Sequence, residues 1–191
     1  MFCWSQKKKI SKKIALVGLE HGAGTTHVGV LLADYFRQNQ GARTAYIECN
    51  KTSAFSKLQE CLYGYQRKCF QIQRVDYYIG GSEQQLEALF GKNYDYFILD
   101  FGIELKNNEE KIKSCEERLF IGNLERWEQK DYICFGRQYQ EYNWTFVCNL
   151  GRKDIAHNVE KNLHKKLYKI GYQPISQPLT REVEQFFYSL R

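Results

Sequence analysis

The sequence predicts an α/β fold: a doubly wound, mostly parallel sheet with helices on both faces. Two observations support this. Short apolar segments alternate with helix-like segments along the chain. In addition, a buried strand at 14–17 runs through a turn containing Gly22 and Gly24 into an amphipathic helix. The apolar residues on one face of that helix are Val28, Leu31, Leu32, Tyr35 and Phe36.

The other elements follow from the same alternation. The first helix ends near Gly41, and Ser82 with Gln85 forms a capping-box pattern at the start of a later helix. Further strands are predicted at 44–48, 94–100, 118–121, 145–149 and 172–175, with an edge strand or hairpin at 70–77. Further helices are predicted at 53–62, 82–91, around 127–133, at 155–168 and from about 181. No repeat or linker is evident, so residues 13–191 are predicted to form one domain behind a basic leader, 1–12.

Composition narrows the class of protein. The chain has 191 residues, 43% of them hydrophobic, which suffices for a full core. No apolar run approaches the roughly 20 residues of a transmembrane helix. Seven cysteines are scattered without a Cys-x-x-Cys pair, so neither a zinc site nor a disulfide framework is implied. We therefore expect a cytoplasmic protein in which Cys49, Cys134 and Cys148 are small buried side chains.

Much of the net charge of +6 lies at the N-terminus, where Lys7, Lys8, Lys9, Lys12 and Lys13 follow Phe2 and Trp4. Such a segment can contact anionic lipid or nucleic acid, or it can simply be solvated. We favour the solvated leader, keep peripheral membrane contact open, and regard a nucleic-acid partner as unlikely. A second basic cluster comprises Lys161, His164, Lys165, Lys166 and Lys169. We expect it on the solvated face of a helix.

The glycine-rich turn has the context of a phosphate-binding loop. Glycines let successive backbone N–H groups point inward, and the N-terminus of the following helix adds partial positive charge. The candidate nucleotide-binding residues are Gly22, Ala23, Gly24, Thr25, Thr26 and His27. A phosphate-binding loop carries a lysine before the Thr26 hydroxyl, and this chain has Thr25 there. The glycines are thus retained while the main cation is lost.

Four motifs in order resemble those of the ParA/MinD superfamily of deviant Walker A ATPases, including its atypical members in pilus, secretion and capsule machinery. They are the glycine-rich turn, the strand end Tyr-Ile-Glu-Cys-Asn50, the strand Tyr94-Asp-Tyr-Phe-Ile-Leu-Asp100, and Val-Cys-Asn149. The resemblance covers most of the chain, although 51–78 matches only loosely. It implies a P-loop NTPase-like fold, with ATP and Mg²⁺ as cofactors.

Residue by residue, the resemblance assigns phosphate binding to the backbone of 22–26. It assigns a Mg²⁺-binding hydroxyl to Thr26, the Walker B carboxylate to Asp100 and an adenine contact to Asn149. Asp100 and Asn149 could instead cap the turns after their strands. A protonated His27 could replace the missing cation, although a helix N-terminus disfavours a charged imidazole.

Three charged or catalytic groups of the family are missing. The lysine that reaches across the dimer aligns with Glu20, the P-loop lysine with Thr25, and the water-positioning aspartate with Asn50. A charge-assisted hydrogen bond contributes about 1.5–3 kcal/mol, or about 10- to 150-fold in affinity. We therefore expect ATP and Mg²⁺ to be held weakly or not at all, and hydrolysis to be slow or absent.

Three functions remain open. The favoured one is a degenerate regulatory or positioning subunit that joins a protein partner in a larger, membrane-associated assembly. The second is an active ATPase whose cations come from His27, from lysines or arginines outside the loop, or from a partner. The third and least favoured is a basic nucleic-acid-binding adaptor. In all cases Glu20 disfavours the family's nucleotide-sandwich dimer, because it places like charges together.

Overall fold

This computed structural model describes residues 11–65, 67–175 and 177–191, which contain eight strands in one sheet. Along the chain they are β1 (Lys12–Gly18), β2 (Thr44–Glu48), β3 (Cys69–Ile72), β4 (Val75–Ile79), β5 (Tyr96–Asp100), β6 (Glu117–Leu124), β7 (Thr145–Gly151) and β8 (Leu167–Lys169). Their spatial order is β3-β4-β2-β5-β1-β6-β7-β8. The edge strand β3 is antiparallel to β4, and the other pairings among the described strands are parallel.

Helices cover both faces of this sheet. They are α1 (Thr25–Gln40), α2 (Ala54–Tyr63), α3 (Glu83–Phe90), α4 (Glu109–Lys113), α5 (Gln129–Gln138), α6 (Lys153–Leu163) and α7 (Arg181–Ser189). Side chains of β1 alternate between two cores: Ile14 and Leu16 pack with α1, α2 and α7, whereas Ala15 and Val17 pack with α3 to α6. The predicted doubly wound, mostly parallel fold is therefore confirmed.

The predicted elements agree with the structure through β7, apart from α4 and a short 3₁₀ helix at Gln140–Tyr142, which the sequence pattern did not indicate. The segment at 70–77 is a hairpin whose turn residues, Gln73 and Arg74, have positive φ. The capping interaction is also present, since the Ser82 hydroxyl accepts the Gln85 N–H.

The C-terminal third requires two corrections. The helix predicted at 155–168 ends at Leu163, where His164 takes a left-handed conformation. The strand predicted at 172–175 is wrong, since β8 lies earlier and pairs with β7. The reason is burial: Leu167 is buried against the sheet, whereas Tyr172 is 76% exposed. The second basic cluster therefore spans a helix end, a turn and a strand rather than one helix face.

Several side chains also differ from expectation. Cys148 is buried as predicted, but Cys134 is exposed on α5 and Cys49 is only partly buried. None of the helices in the described part of the chain combines the length and apolar character needed to cross a membrane. Residues 1–10 lie outside the described residues, so the hypotheses about this part of the leader stay predictions. Lys12 already belongs to β1, and its ammonium group lies 3.0 Å from a carboxylate oxygen of Glu117.

Candidate functional site

The glycine-rich loop lies at the carboxyl edge of the sheet, between the central strand β1 and α1. Since β1 is flanked by β5 and β6, the loop sits where the strand order changes direction, which is where parallel sheets bind ligands. Gly22 and Gly24 have φ of 87° and 85°, a left-handed conformation that glycine adopts without strain. Gly24 is followed at once by α1, whose first N–H groups have no partner within the helix. The loop thus has the backbone form that binds phosphate.

A cavity of about 340 Å³ opens over this loop. Its walls are residues 20–27, 50–52 and 102–104. All six candidate residues from Gly22 to His27 line it, whereas Asn149 does not. The cavity is of the size that holds small ligands. Nucleotide binding by these residues stays a prediction.

The two predicted metal ligands are in contact with each other, and Thr26 also lines the cavity. The Thr26 hydroxyl donates a 2.7 Å hydrogen bond to Asp100 Oδ2, and the Gly102 N–H donates to Oδ1 at 2.9 Å. Asp100 is fully buried, and this burial raises the pKa of its carboxyl group although the hydrogen bonds oppose the shift. A hydroxyl and a carboxylate are hard oxygen donors, the ligands that Mg²⁺ prefers. The residues present therefore fit a magnesium ion.

A residue that the sequence analysis missed contacts both members of this pair. The Tyr46 hydroxyl lies 3.2 Å from Asp100 Oδ2 and 3.1 Å from the Thr26 carbonyl oxygen. The sequence held a signal for it, because a tyrosine within a buried strand needs a partner for its hydroxyl.

The side chain of Asn50 is occupied by structural hydrogen bonds. Its Nδ2 donates to the Asp100 carbonyl at 3.0 Å, and its Oδ1 accepts the N–H and hydroxyl of Thr52 at 2.9 and 2.6 Å. Asn50 thus fixes the turn after β2 and offers no carboxylate that could act on water. The neighbouring Glu48 carboxyl is also engaged, since it accepts the Phe55 N–H and the Thr52 hydroxyl.

Charged groups at the rim of the cavity differ in sign. Glu20 has a raised pKa because its carboxyl group hydrogen-bonds Glu128, with smaller contributions from burial and from the charges of Glu128 and Asp131. The surroundings of Glu20 are therefore acidic. The sequence alone did not indicate this, because Glu128 lies 108 residues away. The exposed Lys51, which the sequence analysis also missed, lines the same cavity. The sequence offered a signal for Lys51, because this residue follows the carboxyl end of β2, where parallel sheets bind ligands.

Two further candidates have partners other than a ligand. The His27 ring stacks on Tyr172 at 5.8 Å between centroids, with the planes 5° apart, and its Nε2 is buried without a partner among the described residues. Asn149 is buried behind the loop, where its Nδ2 donates a 2.6 Å hydrogen bond to the Ala23 carbonyl. A Cβ added to Gly24 would lie 2.0 Å from the same Nδ2. Asn149 therefore supports the loop backbone, and its contact with adenine stays a prediction.

Comparison with known proteins gives matches at the level of structure. No family model matches the chain, and no curated protein does. A ParA family ATPase from Chlorobium tepidum has a TM-score of 0.69 at 10% identity, over 96% of this chain and 100% of that one. A plasmid partition protein from Borrelia burgdorferi, bound to AMPPNP, has a TM-score of 0.63 at 12% identity over 95% and 97%. The cell division ATPase MinD of Pyrococcus furiosus has a TM-score of 0.63 at 18% identity, also over 95% and 97%. The chain therefore has the fold of the ParA and MinD ATPases.

Proposed function

We propose that the protein is a ParA/MinD-like regulatory or positioning subunit of a larger, membrane-associated assembly. It binds ATP with Mg²⁺ weakly and hydrolyses it slowly or not at all. Its contribution to the assembly is a surface for a protein partner rather than chemical turnover.

The proposal rests on one observation: the loop keeps the backbone conformation of a phosphate-binding loop but lacks its positive charge. The left-handed glycines, the N-terminus of α1 and the hydrogen bond between Thr26 and Asp100 support a site for phosphate and magnesium. The position of the dimer-spanning lysine instead holds Glu20, paired with Glu128. A carboxylate at this rim repels phosphate, and phosphoryl transfer depends on neutralising charge. The geometry therefore supports weak binding and opposes catalysis.

Exposed apolar side chains around the loop support a protein partner. Ile103, Trp127, Leu150 and Tyr172 are 43%, 74%, 53% and 76% exposed. They follow or end the parallel strands β5, β6, β7 and β8, so all lie at the carboxyl edge with the loop. Apolar groups gathered on one side of a protein are typical of interaction sites.

The test compares the wild-type protein with Asp100→Ala. Calorimetric titration with ATP should show weak binding by the wild type that strengthens with Mg²⁺, and the variant should lose that magnesium dependence. ATP turnover should be equal in the two proteins. A reproducible turnover by the wild type that Asp100→Ala abolishes would overturn the regulatory assignment.

One observation favours a second candidate, an active ATPase. Lys51 is the one lysine or arginine among the described residues that line the cavity, so it could supply the missing cation from outside the loop. In that case Lys51→Gln should abolish turnover and weaken ATP binding about tenfold or more. The matched control is Lys106→Gln, an exposed lysine on the loop after β5 that does not line the cavity. Equal turnover in both variants would eliminate this candidate.

A further inference from the structure

The hydroxyl of Tyr46 connects two elements of the candidate metal site. Tyr46 is fully buried on β2, and its ring packs edge-on against Phe55 at 4.8 Å. Its hydroxyl contacts the first turn of α1 through the Thr26 carbonyl and contacts the end of β5 through Asp100 Oδ2. A single buried group therefore touches both the helix and the strand whose side chains form the pair.

The helix leaves space for this hydroxyl. A Cβ added to Gly29 would lie 2.0 Å from Tyr46 Oη and 2.3 Å from Cζ, both far inside van der Waals contact. Glycine within a helix is less favourable than alanine, because it loses more conformational freedom on folding. Gly29 thus lowers the stability of the helix at a position where a larger residue would collide with the tyrosine.

We propose that Tyr46 is a positioning residue that holds the Thr26 hydroxyl and the Asp100 carboxylate in place for Mg²⁺. This inference rests on the proposed function, because it requires that the pair binds magnesium. A hydrogen bond to a carboxylate limits the rotation of the group and thus lowers the cost of organising the site when a metal arrives. The Tyr46 hydroxyl has one proton, which the Asp100 carboxylate and the Thr26 carbonyl share, and its contact with the carbonyl holds the helix turn from which the Thr26 hydroxyl projects.

The variant Tyr46→Phe removes the hydroxyl and keeps the ring. Its matched control is Tyr132→Phe, because Tyr132 is also fully buried and its one hydroxyl proton is shared between the Val147 and Phe120 carbonyls, at 2.9 and 3.2 Å. Tyr132 belongs to the other core of the sheet, away from the pair. Both variants lose two buried hydroxyl contacts, but only one loses contacts to the pair.

The measurement is Mn²⁺ binding followed by electron paramagnetic resonance, with and without ATP, beside ATP titrations in Mg²⁺ and in EDTA. Tyr46→Phe should weaken Mn²⁺ binding and Mg²⁺-dependent ATP binding about tenfold, and it should leave the ATP affinity in EDTA unchanged. Tyr132→Phe should bind metal as the wild type does, although both variants unfold at lower temperature. A purely structural role of Tyr46 would lower thermal stability without this selective loss of metal.

The possible failures can be told apart. If Tyr46→Phe and the wild type hold Mn²⁺ equally tightly, the positioning role is wrong and the proposed function stands. If Tyr132→Phe weakens metal binding as much as Tyr46→Phe does, the effect is general packing and the positioning role is again wrong. If the wild type holds no Mn²⁺ with or without ATP, both this inference and the magnesium part of the proposed function are wrong.

Discussion

Restoring the loop lysine tests whether the loop is undercharged or misshapen. Thr25 is 7% exposed, and its hydroxyl oxygen lies 2.5 Å from where a Cβ on Gly18 would stand, at the base of the loop. In Thr25→Lys the ammonium group should extend into the adjoining cavity and donate to phosphate. A hydrogen bond from a charged donor contributes about 1.5–3 kcal/mol, which corresponds to about 10- to 150-fold in affinity.

We expect Thr25→Lys to tighten ATP binding by about tenfold, the lower end of that range, because Glu20 remains at the rim. Glu20→Lys combined with Thr25→Lys should gain more, since it also removes the carboxylate from the Glu128 pair. Calorimetry with ATP and Mg²⁺ measures both affinities, and circular dichroism verifies that the variants are folded. Thr25→Met is the control, because it adds similar length without charge and should gain nothing. If neither folded lysine variant binds ATP more tightly, the loop is closed or misshapen and the reasoning from charge is refuted.

Three further predictions concern association, pH and packing. ATP with Mg²⁺ should not drive a monomer-to-dimer transition in sedimentation velocity, because Glu20 would bring like charges together; a nucleotide-dependent dimer that Gly24→Val abolishes would contradict this. Burial raises the pKa of Asp34 to about 6 from an ordinary 3.8, so the folded state holds the proton more tightly and stability falls as pH rises through that interval. Asp34→Asn should therefore raise the melting temperature at pH 7.5, with the gain shrinking toward pH 4; an equal gain at both pH values would show another cause. Gly29→Ala should lower the free energy of unfolding by about 1–3 kcal/mol through overpacking against Tyr46, despite better helix propensity, and a stabilised variant in urea denaturation would disprove the close approach.

The sequence was most informative where local pattern and burial agree. The predicted bounds of β1, α1 and β2 are nearly those observed. In these elements the apolar periodicity agrees with the tertiary contacts, and Gly41 ends the helix. The meeting of Thr26 and Asp100 could also be predicted, because Asp100 ends β5 and Thr26 follows the parallel neighbour β1 at the same edge of the sheet.

What the sequence could not provide depends on contacts between distant residues. The helix at 155–168 was extended too far because nothing local marks His164 as left-handed or Leu167 as part of a strand. The interaction between Glu20 and Glu128 likewise could not be predicted, because the two residues lie far apart in the sequence. The strand predicted at 172–175 was apolar enough, but the buried place beside β7 is taken by Leu167, so Tyr172 is left exposed next to His27.

The hydrogen bond between Asn149 and Ala23 has a consequence for the order of folding. It joins residues 126 apart in sequence, and β1 itself needs β5 and β6 as neighbours. Contacts of such long range form late, because the entropy of closing the intervening chain must first be overcome. During synthesis the glycine-rich loop emerges early, yet its supporting side chain is made only when three quarters of the chain exists. The loop therefore cannot form this hydrogen bond until β7 has been synthesised, and a chain cut before β7 would lack the support that Asn149 gives to the loop backbone.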